Sequence, residues 1–167
     1  MTLAQVLPAL PDQNVSRTAA PRDQAWLSRE LGLIWDEYFF DTPRVNGVHI
    51  GFYRPWKLRL GLIRLNLLDG DTYIGLNSLL SHHEAPYCVT LVTVAHELVH
   101  YCHGFGSPLP QKYKHPHRGG IVTRELVDRG LGRALGEYSD WIEQHWWSFY
   151  ARRSAAPRRR GAPEARR

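Results

Sequence analysis

Two histidines and a glutamate, His96, Glu97 and His100, lie within the apolar run VTVAHELVHYCHG. On an α-helix, residues four apart are offset by about 40° and by about 6 Å along the axis, so His96 and His100 project from one face and can share one ion. Glu97 is turned about 100° from His96, beside the ion and not on it, where a carboxylate can take a proton from an activated water. Such a set is suited to metal-assisted hydrolysis. The competing expectation is a core helix whose histidines are satisfied by hydrogen bonds. Burial argues against it: two imidazoles and a carboxylate left unpaired in an apolar helix cost on the order of several kcal/mol, whereas one divalent cation satisfies all three.

Neutral imidazoles with one open position suit zinc, Zn2+, by softness and by its tetrahedral preference, and a catalytic zinc needs a third protein ligand. His103 shares the face of His96 and His100 but stands about 10 Å along the axis from His96, too far to complete one coordination sphere on a regular helix. The long pattern H-E-x-x-H-x-x-G-x-x-H does not hold, because Gly104 falls one place late. Downstream, KHPHRGG offers His115 and His117 on a loop bounded by glycine. His117 is the favoured third ligand, with His115 and Glu125 as alternatives. Glu137 is a further carboxylate on a later helix, and its ordinary role there is to complement the helix dipole.

The elements that must position these residues are legible in outline. Trp26, Leu27, Leu31, Ile34, Trp35 and Tyr38 recur near helical spacing behind Asp23, which predicts a helix from about Asp23 to Phe39. The stretch from Asn46 to Asn77 alternates and is rich in β-branched and aromatic residues. Three strands are expected there, Val48 to Tyr53, Leu58 to Leu67 and Thr72 to Leu76, as an antiparallel meander, with Asp69-Gly70 as a hairpin turn. The histidine run opens behind Pro86 and stops at Gly104 and Gly106, and its apolar first half predicts a central, buried helix packed on the strands. Two further helices are expected in IVTRELVDRGLG and in EYSDWIEQHWWSFY, the second capped by Ser139. The fold class is therefore α+β.

Domain limits follow from composition. With 167 residues, 43% of them hydrophobic, the chain suits one folded body, expected over 23 to 150. Residues 1 to 22 carry three prolines and are expected to form a flexible arm. Residues 151 to 167 form an Arg-rich tail expected to be disordered: from Arg152 onward there are seven Arg and one acid, leaving 14 basic against 15 acidic residues elsewhere. Two cysteines, Cys88 and Cys102, cannot build a disulfide framework or a four-cysteine zinc ribbon, and free buried thiols are expected. No apolar run reaches the roughly 20 residues that cross a bilayer, and no secretory signal is legible, so no membrane partner and a cytoplasmic location are expected.

From about Leu27 to Gly132 the chain resembles the SprT-like (Spartan-type) zinc metallopeptidases. The likeness rests on an ordered set: TYIGLNSLL, in which Ile74, Leu76, Asn77 and Leu80 match a segment preceding the metal helix, then AHELVHYCHG, then HPHRGG before a helix. The resemblance implies a zincin-like fold, zinc held by His96, His100 and His117, Glu97 as general base, and a peptide-bond substrate lying along a sheet edge. It also implies a link to proteins attached to nucleic acid, for which Arg152, Arg153, Arg158, Arg159 and Arg160 would supply phosphate contacts. The alternatives are a nucleic-acid-binding protein with a structural or inactive metal site, and a zinc amidohydrolase acting on a substrate other than protein.

Overall fold

The computed structural model describes residues 21–155. The first element, α1 (Gln24–Tyr38), is capped by Asp23, whose carboxylate accepts from the Trp26 N–H at 2.7 Å. That bond satisfies one of the donors a helix start leaves open. Its apolar stripe buries Trp26, Leu27, Leu31, Ile34 and Trp35. Arg22 belongs to the folded body and not to an arm: it is buried, and its guanidinium donates to the carbonyls of Leu80 and Ala85. The rest of the expected arm, residues 1 to 20, lies outside the described residues.

Three strands follow, β1 (Val48–Phe52), β2 (Gly61–Leu65) and β3 (Thr72–Leu76). They do not form an antiparallel meander. The order is β1-β3-β2, with β1 parallel to β3 from Val48↔Thr72 to Phe52↔Leu76, and β2 antiparallel to β3 from Gly61↔Leu76 to Leu65↔Thr72. The expected Asp69-Gly70 hairpin is present and joins β2 to β3. What differs is the path from β1 to β2. Residues 53–60, Pro55 among them, cross the end of β3, so the strand with the most buried residues takes the centre and the two half-exposed strands become edges. Asn77, fully buried, holds that crossing by donating to Trp56 O at 2.7 Å and Arg59 O at 2.9 Å. Alternation along a strand reports which faces are wet and says nothing about which strand is its neighbour.

The central element is α2 (Tyr87–Cys102), behind Pro86, with thirteen of its residues buried. It packs against α1, the sheet and the helices that follow. A one-turn 3-10 helix (Arg118–Gly120) leads into α3 (Ile121–Leu126), anchored by buried Val122 and Leu126. A wide turn over Val127–Leu131 then opens α4 (Gly132–Ser154). This last helix starts seven residues before Ser139, which is therefore not a cap; its hydroxyl donates instead to Leu135 O within the helix. Trp146 and Phe149 bury the inner face of α4. The helix also runs past position 150, so Arg152 and Arg153 sit on it, and both guanidinium groups meet Glu84. Arg158, Arg159 and Arg160 lie outside the described residues. Cys88 and Cys102 are free thiols. Among the described residues no helix is long and apolar enough to cross a membrane.

Candidate metal centre

The spacing of His96 and His100 on α2 brings their Nε2 atoms to 3.1 Å from each other. His117 reaches them from the loop before α3, its ring centroid 5.4 Å from that of His96 and 4.6 Å from that of His100. One nitrogen from each of the three rings lies within 4.8 Å of the others. His117 stands at the head of the Arg118–Gly120 turn, where Gly119 and Gly120 both have φ near +69°. Two successive left-handed residues reverse the chain, a conformation that glycine adopts at little steric cost. Arg124 locks the turn by donating to Gly119 O.

Burial holds the His96 and His100 rings uncharged. Burial, and then the charge of His117, pushes His96 down to about 4 from the usual histidine value. Burial, followed by His96, His117 and His103, pushes His100 down to about 3. At neutral pH both rings are neutral, and each has a lone pair to offer. Three imidazoles are a donor set that fits zinc with a coordination position to spare. Glu97 behaves in the opposite sense. It is 5% exposed, and burial raises its carboxyl to about 8 against a smaller opposing pull from Arg59. A divalent cation nearby would favour its ionised form.

The alternative carboxylates are paired elsewhere. Glu125 sits 3.5 Å from His103 Nε2 and accepts from Arg129 at 2.9 Å. His115 is exposed and outside the three-histidine group. Glu137 is paired with Arg133 one helical turn away. His103 itself is 1% exposed and edge-on to Tyr113.

The three histidines and Glu97 line a cleft of about 920 Å³ between β2, α2 and α4. Asn77 N–H bonds Leu60 O, and Asn66 N–H bonds Asp71 O, so the even-numbered residues of this stretch pair with β3. By antiparallel alternation Gly61 and Ile63 turn their N–H and C=O groups outward, along an edge beside the cleft that no other described strand pairs. Sequence reasoning missed two cleft residues, Gly61 and Tyr138. A glycine inside the alternating strand was a readable sign of close backbone approach for the first; the second had no local sign. Compared with known protein families, curated proteins and solved structures, the chain gives no match.

Proposed function

We propose that this protein is a zinc-dependent metalloendopeptidase with a zincin-like arrangement of the SprT type. The observation that carries the proposal is the convergence of His96, His100 and His117 beside a buried Glu97, in a cleft bordered by a strand edge that no other described strand pairs. When bound, zinc would supply Lewis-acid polarisation of a peptide carbonyl and acidify a water.

The chain's own residues account for the remaining steps. An extended peptide pairs with the outward backbone groups of Gly61 and Ile63, as a strand added to a sheet edge. This sets the scissile bond alongside α2. Glu97 accepts the proton of the attacking water and later delivers it to the leaving amine. A carboxyl whose affinity for protons is raised by burial suits both halves of that transfer, because it must hold the proton between the two events.

The test uses the purified protein with zinc at one equivalent. Casein cleavage that a chelator stops and zinc restores is the expected result, and Glu97→Gln should abolish cleavage while zinc content stays at the parent level. Cleavage that survives in Glu97→Gln would remove Glu97 from the mechanism. A parent protein that neither binds zinc nor cleaves would end the hydrolase reading.

A further inference from the structure

We propose that Tyr138 is a catalytic residue of this site, its hydroxyl donating a hydrogen bond to the scissile carbonyl oxygen as that oxygen gains negative charge. The inference rests on the hydrolase reading above.

Leu135, Tyr138, Ile142 and Trp146 follow one face of α4 and all line the cleft that holds the histidines. Three of the four are apolar walls. Of the hydrogen-bond donors that α4 turns to the cleft, the Trp147 indole belongs to an exposed ring lying under the Lys57 ammonium, and two others are committed. Trp146 Nε1 donates to Lys57 O at 3.0 Å, and the Ser139 hydroxyl donates to Leu135 O at 2.9 Å. Across the cleft, Thr93 on α2 donates to Val89 O. These three are committed. The half-buried Tyr138 phenol makes no hydrogen bond with any described residue, yet it faces the same cavity as Glu97. Because the phenol borders the open cleft, its hydroxyl is available to a group bound there.

Proximity to Glu97 is also electrostatic. Burial, and then the Glu97 charge, raises the phenol above the usual tyrosine value, so it stays protonated and a donor through the neutral range. Arg59, the other side chain whose charge reaches Glu97, is exposed and lies by the Trp56 ring.

The step balances. Water oxygen bonds to the carbonyl carbon while its proton passes to Glu97, and the C=O π pair moves onto oxygen, which Tyr138 stabilises without losing its own proton. Collapse restores C=O and breaks C–N, and the amine departs with the proton Glu97 held. Donors aimed at charge that develops only in the transition state lower the barrier without tightening substrate binding.

The experiment compares parent, Tyr138→Phe and Arg59→Gln on a fluorescence-quenched peptide spanning a casein bond that the parent cleaves. The Phe variant removes a hydroxyl with no hydrogen-bond partner among the described residues, so its thermal midpoint should match the parent's. The expected result is a fall of about 100-fold in kcat with KM within about two-fold. A second readout is calorimetric affinity for the phosphinic isostere of the same peptide, a tetrahedral mimic, which Tyr138→Phe should weaken by a similar factor. Affinity for the uncleaved peptide, measured in the Glu97→Gln background, should not change. If the parent cleaves and Tyr138→Phe keeps both kcat and phosphinate affinity, the Tyr138 assignment falls while the hydrolase reading stands. It falls in the same way if Arg59→Gln alone shows the loss. If the parent cleaves nothing, the hydrolase reading itself falls and the Tyr138 assignment with it.

Discussion

Gly61 on β2 and Glu97 on α2 approach so closely that a Cβ at position 61 would lie 2.5 Å from Glu97 Oε1 and 2.8 Å from the Thr93 methyl. The strand edge and the carboxylate are thus set against each other by the absence of a side chain. Gly61→Ala must therefore push Glu97 or the strand aside. We expect a loss of about 1–3 kcal/mol in stability from overpacking. Casein cleavage should fall by more than about 10-fold, since displacement of a reacting group by about 1 Å already costs more. Zinc content, set by the histidines, should hold. Zinc analysis beside an activity assay separates the effects; full activity in Gly61→Ala would show that the contact does not position Glu97.

His117→Ala should weaken zinc binding by more than about 100-fold, beyond what loss of a residue that merely supports a ligand costs. His115→Ala, a change at an exposed ring outside the cluster, should leave affinity unaltered. Competition against a chromophoric chelator measures both. Equal loss in the two variants would mean that the loop, and not one imidazole, supplies the third position.

Asn77 joins β3 to the crossing segment through two side-chain bonds, to Trp56 O and Arg59 O, and caps the turn after β3 by accepting from Leu79 N–H at 3.1 Å. Replacement by Ala removes the amide that holds the Trp56 and Arg59 carbonyls at the head of β2 and leaves the buried site of Asn77 underfilled. A cost of about 3 kcal/mol in urea unfolding is expected. With the open edge loosened, KM for a peptide should rise more than kcat falls.

The pH dependence of stability in the chelator-treated protein has a definite sign. His96 and His100 are depressed to about 4 and about 3 from an ordinary 6.5, so their contribution is complete above 6.5 and is lost as pH falls towards those values. Glu97 is raised to about 8 from an ordinary 4.5, so its contribution is complete below 4.5 and is lost as pH rises to 8. Between 4.5 and 6.5 two histidines outweigh one glutamate, and above 6.5 only the glutamate changes. The thermal midpoint should therefore peak near pH 6.5. A calorimetric series from pH 4 to 9 that rises steadily past 7.5 would contradict the buried state of Glu97.

Several features were legible because their causes are local. Asp23 as the cap of α1, Pro86 as the opening of α2 and Asp69-Gly70 as the hairpin follow from dihedral preferences and hydrogen bonds within a few residues. The common face of His96 and His100 follows from the helical period alone. The start of α4 was misplaced because Ser139 resembles a cap, while the turn at Val127–Leu131 that actually opens the helix has a shape no single residue announces.

What the sequence by itself determined, then, is the presence of an α+β body and of a helix that sets two imidazoles and a carboxylate around one point. Only the tertiary structure decided that β3 lies between β1 and β2, that His117 and not His115 or Glu125 closes on the pair, and that Gly61 and Tyr138 border the same cleft. The physical reason is range. Periodicity and capping are encoded within a turn or two of chain, whereas the meeting of residues 61, 97, 117 and 138 depends on which apolar surfaces bury one another, a balance summed over the whole core.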